Sequence, residues 1–160
     1  MKLKFLCSVL LPCLLLLCGC SGEIPSAPPP LSLSIGDTTH EIHSGSFKWS
    51  TTPNGKNGQT TFADSDHPLC GTYTIIETDA NKAEATFVFD PTDYEIACWP
   101  ENTHINEVGE PDTAPVLLIP HHDSFPLQEG RWIYQLTAGW QEKNYNGTAN
   151  YSFLIDRTKP

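Results

Sequence analysis

The sequence predicts an all-β domain, a β-sandwich of about seven to nine short antiparallel strands. From Leu31 onward, short runs of alternating apolar and polar residues are separated by glycine, proline, asparagine and aspartate, and no stretch keeps a helical period. The clearest alternation places apolar side chains at every second position of one run: Trp132, Tyr134, Leu136, Ala138 and Trp140. Such a pattern is typical of a strand that lays one face on a core.

The first part of the domain predicts short strands at residues 31–35, 39–43, 46–51 and 59–62. In the third of these runs, Phe47 and Trp49 lie on one face. The fourth run lies inside a long polar loop, residues 53–68, which is rich in glycine, asparagine and aspartate.

The middle of the chain predicts a hairpin of residues 71–77 and 85–90, in which Phe87 and Phe89 share a face. Further strands are expected at residues 94–99, 116–119 and 124–127. The run 116–119 is apolar throughout, which is typical of a short buried strand.

The strand that begins at Arg131 is expected to pair with residues 148–155, because both runs alternate in the same way. Asn146-Gly147 lies between them and is the preferred sequence of a tight hairpin turn. The two apolar faces would then lie together on the core.

The first 19 residues have the build of a secretory signal peptide. Lys2 and Lys4 precede an apolar run, residues 5–17, which is interrupted by Pro12 and is shorter than the roughly 20 apolar residues of a membrane-spanning helix. The run ends in Leu17-Cys18-Gly19-Cys20, which resembles the lipobox of bacterial lipoproteins. Cys18 departs from the small residue that is usual at its position.

This resemblance implies that a diacylglyceryl group is attached to the Cys20 thiol and that signal peptidase II cleaves between Gly19 and Cys20. The covalent lipid would be the only cofactor-like group, and the bilayer would be a partner through Cys20. At about 0.8 kcal/mol per buried methylene, two acyl chains anchor a protein stably. The expected location is extracytoplasmic, on the bacterial cell membrane; the alternative is ordinary secretion after cleavage near Gly19.

The chain is therefore divided into three parts: a signal peptide (1–19), a lipidated cysteine with a proline-rich linker (20–30), and a single β-sandwich domain (31–160). The linker contains four prolines, which favour an extended chain. At about 3.1 Å per residue, it would lift the domain on the order of 30 Å from the lipid surface.

The charge of the mature chain argues against nucleic acid as a partner. The sequence has nine basic and 19 acidic residues, and removal of residues 1–19 takes Lys2 and Lys4 away, which leaves a formal charge of −12. A chain with this charge is repelled by phosphates and by anionic lipid.

A broader resemblance covers most of the mature chain. The order of Gly45-Ser-Phe-Lys-Trp49, Asp66-His-Pro-Leu69, Cys98-Trp-Pro100, Gly130-Arg-Trp-Ile-Tyr134, Trp140 and Tyr151-Ser-Phe153 resembles small uncharacterised lipoproteins of Gram-positive anaerobes. This resemblance implies an immunoglobulin-like sandwich outside the cytoplasm, and it carries over no catalytic residues.

Only Cys70 and Cys98 are left once the signal peptide is removed and Cys20 is lipidated. In an exported protein these two can form a disulfide, worth about 3–4 kcal/mol in the chain-entropy model. Cys98 is also expected on the face of Tyr94 and Ile96, where a buried, unreactive thiol is the alternative.

Few residues point to chemistry. No Gly-x-Ser-x-Gly motif is present, and His40 and His43 are spaced by three on a predicted strand, which excludes the zinc-protease motif. His121 and His122, with His67 and His104 elsewhere, are weak candidates for a metal site. Trp99 faces away from its apolar neighbours and is the expected exposed contact for a partner.

The sequence therefore favours a non-catalytic lipoprotein that binds an unknown protein or glycan partner. One alternative is a proteinase inhibitor, because the domain resembles small immunoglobulin-like inhibitors, with residues 53–68 or 100–115 as the presented loop. The third hypothesis is a metal-binding protein or enzyme that uses the surface histidines.

Overall fold

The computed structural model describes residues 24–52, 58–73, 75–118 and 123–158. Within these ranges the chain forms eleven strands: β1 (Leu31–Ile35), β2 (Thr38–Ile42), β3 (Phe47–Thr51), β4 (Gln59–Ala63), β5 (Ile75–Glu77), β6 (Lys82–Thr86), β7 (Asp93–Pro100), β8 (Val116–Leu118), β9 (Ser124–Pro126), β10 (Gly130–Gln141) and β11 (Tyr145–Arg157). A single 3₁₀-helical turn, Pro68–Cys70, interrupts this all-β order in the described ranges.

The strands form two sheets that pack as a β-sandwich, which confirms the predicted fold class. The small sheet has the order β2-β1-β6-β9. The large sheet has seven strands in the order β4-β3-β11-β10-β7-β8, with β5 also paired to β11. All of these pairings are antiparallel except that of β5 with β11. The number of strands exceeds the prediction because several short edge runs pair with longer strands.

The core lies between the two sheets and is rich in aromatic residues. Leu31, Leu33 and Ile35 alternate on the inner face of β1 and are buried. On the large sheet, Tyr134 and Phe153 pair across β10 and β11, and their rings stack with centroids 5.5 Å apart. The alternation in the sequence thus becomes one buried face on each sheet.

The predicted hairpin at the end of the chain is confirmed, but its turn is in a different place. β10 and β11 pair from Gly130↔Arg157 to Gln141↔Asn146, so Asn146-Gly147 lies inside β11. The reversal occurs just before Asn146, where the Glu142 N–H donates to the Tyr145 carbonyl at 2.9 Å. Gly147 serves close packing, because a Cβ at that position would collide with the Lys48 carbonyl and with Trp49.

The predicted hairpin of residues 71–77 and 85–90 is wrong. β5 belongs to the large sheet, whereas β6 belongs to the small sheet between β1 and β9. Phe87 and Phe89 follow β6 and contact Trp140, with ring centroids 5.5 and 6.2 Å apart. The local turn signal at residues 78–82 was therefore outweighed by pairing with distant strands, β5 with β11 and β6 with β1 and β9, and the two half-buried rings pack against the core.

The sequence predicts that β8 is buried, but it is an edge strand of the large sheet. Val116 and Leu117 are exposed, and only Leu118 is buried. β8 is bonded to β7 on one side and has no further strand beyond it in the described sheet.

The described part of the predicted linker does not extend freely from the domain. Residues 24–30, which we call the strap, lie against the sandwich instead of standing away from it. The Trp49 indole N–H donates to the Pro25 carbonyl at 2.9 Å, and the Tyr151 hydroxyl donates to the Pro29 carbonyl at 2.7 Å. Pro29 is itself buried. The folded unit therefore begins before Leu31.

The predicted signal peptide, the cleavage position and Cys20 lie outside the described residues. A helix long and apolar enough to cross a membrane is not found in the part of the chain that the structure describes.

Candidate functional site

The outer face of the large sheet, which points away from the core, has a covered end and an open end. At the covered end Trp99, Ile133 and Leu154 are each 5% exposed, although they lie on the side opposite the core residues. Residues 67–73 lie over them, and the His67 ring meets Trp99 edge-on with centroids 5.8 Å apart. Trp99 is therefore on the predicted side of its strand, but the prediction that it is exposed is wrong.

The covering segment is held by its own hydrogen bonds. His67 Nδ1 accepts a hydrogen bond from the Leu69 N–H at 3.2 Å, which caps the 3₁₀-helical turn. The Tyr73 hydroxyl donates to the Pro68 carbonyl at 2.6 Å. The pKa of Tyr73 is raised above its usual value. Burial is the main cause, and a hydrogen bond with Ser152 of β11 offsets part of the rise. His67, a candidate metal ligand in the sequence, therefore has a structural partner.

The open end carries a polar depression that we call the Gly139 groove. Lys48, Thr148, Gly139 and Asp93 form one row across β3, β11, β10 and β7. The groove comprises a cavity of about 360 Å³ and an adjoining one of about 290 Å³, whose linings share Asp93, Gly139 and Thr148. Gly139 lines both parts of the groove, and the Asp93 carboxylate lies close to it, since a Cβ at Gly139 would be 2.5 Å from an Asp93 carboxylate oxygen.

The walls of the groove offer groups for hydrogen bonding. Lys48 lines one side, and Asp93 and Glu95 line the other. The amides of Gln141 and Asn146 complete the first cavity. Such a set can bind a polar ligand through several hydrogen bonds.

Backbone contacts fix the wall formed by the start of β7. The Thr92 N–H donates to the Gly139 carbonyl at 2.8 Å, and the Thr92 hydroxyl accepts from the Gln141 N–H at 2.9 Å. The wall is thus joined to β10 by two hydrogen bonds, one at Gly139 and one at Gln141. A pre-formed wall lowers the entropy lost when a ligand binds.

An aromatic ring lies next to the groove. Phe62 of β4 is opposite Lys48 in the sheet, is 67% exposed, and has the Lys48 Nζ atom 5.9 Å from its ring centroid. Sequence reasoning missed the groove and this ring. The available signal was the outward register of Lys48, Gly139 and Thr148 in strands whose other faces are apolar.

The structure leaves both thiols of the considered disulfide free. Cys98 points into the core opposite Tyr134, whereas Cys70 ends the turn that lies on the outer face, so the large sheet separates them. Burial raises the pKa of the Cys98 thiol to about 12. This environment fits the alternative of a buried, unreactive thiol.

The candidate metal ligands that lie within the described residues are not brought together. His121 and His122 lie outside the described residues, and His104 lies in the loop after β7, where its N–H donates to Asp112 at 3.2 Å. Within the described ranges, no group of three or more His, Cys, Asp or Glu side chains can hold a metal ion. Elemental analysis of the purified protein tests the metal hypothesis for the whole chain.

One of the two predicted inhibitor loops is well defined. In residues 100–115, Ile105 and Pro111 form an isolated β-bridge, and the Asn106 carboxamide oxygen accepts hydrogen bonds from Val108 and Glu110 at 3.0 and 2.9 Å. Val108, near the tip, is 78% exposed. The other loop is described only from residue 58 onward.

No family model matches the sequence, no curated protein matches it, and no solved structure matches the fold.

Proposed function

We propose that this protein is an extracytoplasmic lipoprotein, anchored by a diacylated Cys20, whose β-sandwich binds a partner without catalysis through the Gly139 groove. The lipobox-like sequence ending at Cys20 supports the anchor. The observation that carries the binding role is the pair of adjoining polar cavities at Gly139, next to the exposed ring of Phe62.

Between a protein and a glycan partner, the lining favours a glycan. Amides, hydroxyls, an amine and carboxylates line a shallow surface, and a sugar can meet them with hydroxyl groups that both donate and accept. Phe62 offers an apolar ring face beside them. Because the mature chain carries a formal charge of −12, a neutral glycan fits better than an anionic one.

The anchor is tested by expressing the wild-type chain in a bacterium beside Cys20→Ala. We expect the wild type to partition into detergent with the mass of residues 20–160 plus a diacylglyceryl group, and the variant not to. If the wild type is soluble and unmodified, the protein is a freely secreted sandwich and the anchor proposal is wrong.

The binding role is tested by calorimetric titration with neutral cell-envelope glycan fragments. The double variant Gln141→Ala/Asn146→Ala removes two amides from the groove, and we expect a loss of affinity of at least about tenfold, since two hydrogen bonds are lost. Gln59→Ala, an exposed glutamine outside the groove, is the matched control. Equal binding by all three proteins would exclude the groove.

The inhibitor alternative has one specific observation in its favour, the braced loop with Val108 exposed near its tip. Inhibitors of this type present a rigid exposed loop to the protease. If the alternative holds, the wild type slows trypsin-like or subtilisin-like enzymes and Val108→Asp does not. Full protease activity in the presence of the wild type removes this alternative.

A further inference from the structure

The strap is joined to the sandwich at two points that lie on different strands of the large sheet. Trp49 of β3 donates its indole N–H to Pro25, and Tyr151 of β11 donates its hydroxyl to Pro29. The strap then continues directly into β1 of the small sheet. It therefore connects the two layers at the point where the chain enters the domain.

Both contacts satisfy buried donors. Trp49 and Tyr151 are 1% and 0% exposed, and a buried donor left without an acceptor costs about 1–3 kcal/mol. Proline suits the partner segment, because it supplies a carbonyl acceptor and has no N–H that would itself need a partner. The strap is thus part of the folded unit and does not act as a free spacer.

This contact shortens the distance between the lipid and the domain. Pro25 follows Cys20 by five residues, and an extended chain spans at most about 3.3–3.6 Å per residue. The Cys20 and Pro25 backbones can therefore be separated by no more than about 18 Å. A free linker that ended at Pro30 would allow on the order of 30 Å.

The contact between Trp49 and Pro25 also places the start of the strap at one end of the sandwich. The Trp49 ring stacks on Tyr145, 5.4 Å between centroids, and Tyr145 is the first residue of β11 after the hairpin turn. Pro25 is therefore held near the turn end of the hairpin. The other end, at Gly130, is about 40 Å away along the 12 residues of β10.

We propose that the strap holds the sandwich against the bilayer in one orientation, with the turn between β10 and β11 toward the lipid headgroups and the Gly130 end away from them. The inference rests on the lipid anchor of the proposed function. Gly139 is two residues from the end of β10, so the Gly139 groove opens close to the membrane surface. Its ligand would then be bound near the membrane.

The test uses the lipidated protein, purified in detergent and inserted into phosphatidylcholine vesicles that contain an acceptor-labelled lipid. A donor dye is attached to Lys143→Cys, in the turn, or to Glu129→Cys, just before β10, each in a Cys70→Ser background. Both positions are exposed. We expect energy transfer to the lipid to be severalfold higher from position 143 than from position 129.

A variant with about ten Gly-Ser residues inserted after Gly22 separates the strap from the lipid while leaving every contact of the sandwich in place. In this variant we expect the difference between the two positions to be lost. The variant Trp49→Phe/Tyr151→Phe, which removes both donors, should reduce the difference in the unextended chain.

The outcomes separate the two proposals. Intact mass is measured on the same samples, and absence of the lipid overturns the proposed anchor and this inference with it. Full lipidation with equal transfer from positions 143 and 129 leaves the anchor standing and overturns the fixed orientation. Unchanged transfer after the insertion also overturns it, because the strap would then not set the position of the domain.

Discussion

The two ends of the outer face of the large sheet differ in what lies over them. At one end, Trp99 and its apolar neighbours are covered by residues 67–73, and they form a second apolar layer outside the main core. At the other end, the Gly139 groove is polar and open. The same strands β7, β10 and β11 supply both ends. The side on which a residue lies therefore does not determine whether it is exposed.

This difference has a functional consequence. Trp99, which the sequence predicts as an exposed partner contact, is buried and stabilises the fold. The exposed aromatic ring near the open groove is Phe62. The inner face, which carries Cys98, Tyr134 and Tyr151, is the reference against which both ends can be compared.

The largest expected effect is unfolding at alkaline pH, which acts on the inner face. Burial raises the pKa of Cys98 from 9.0 to about 12, and burial also raises the pKa values of Tyr134 and Tyr151. The folded state therefore keeps protons that the unfolded chain releases. Their contribution to stability is complete below about pH 9 and is lost as the pH rises toward 12.

This loss can be followed by urea unfolding at increasing pH, together with tyrosinate absorbance. Cys98→Ala should make the decline less steep, whereas Cys70→Ala, which alters an exposed thiol, should leave it unchanged. A free energy of unfolding that stays constant from pH 9 to 12 would contradict the burial of these groups.

The second effect compares the two ends directly. Trp99→Ala should lower the free energy of unfolding by about 3–5 kcal/mol, because it leaves a cavity beneath residues 67–73. Phe62→Ala, at the open end, should change it by no more than about 0.5 kcal/mol. Chemical denaturation measures both variants, and equal losses would mean that the two ends do not differ in burial.

A smaller effect is expected where the strap meets the sandwich. Tyr151→Phe keeps the ring and leaves the Pro29 carbonyl without its donor, so a loss of about 1–3 kcal/mol is expected. Tyr145→Phe, in the same strand, is the control and should cost less than about 0.5 kcal/mol. If Tyr151→Phe costs no more than its control, the strap contact does not contribute to stability.

The smallest effect is the response to thiol reagents under native conditions. One thiol per lipidated chain should react, that of Cys70, because Cys98 is buried between the sheets. Reductant should leave the midpoint of unfolding unchanged. Mass spectrometry distinguishes the alternatives: two protected thiols would indicate the disulfide, and two modified thiols would show that Cys98 is accessible.

Much of the fold could be predicted from the sequence because alternation is a local signal. The pairing of β10 with β11 follows from two long alternating runs, and β1 follows from a short one. The prediction failed where a local turn signal competed with distant partners. Asn146-Gly147 resembles a hairpin turn, yet Gly147 is needed for close packing against Lys48 and Trp49, residues about 100 positions earlier.

The candidate site could not be predicted in the same way. Lys48, Asp93 and Gly139 are far apart in the chain, and only the register of four strands places them in one row. The prediction of a free linker failed for a related reason. A proline-rich segment has the composition of a free spacer, and its carbonyls gain partners only when Trp49 and Tyr151 are folded beside it.

The sequence by itself determined the β class, the inward and outward sides of the main strands, and the expectation of a lipid at Cys20, because each of these depends on residues close together in the chain. The tertiary structure decided which outward surfaces are covered, where the strap lies, and which thiols can meet. These depend on contacts between distant segments, whose free energy comes from burial and hydrogen bonding that no local pattern encodes.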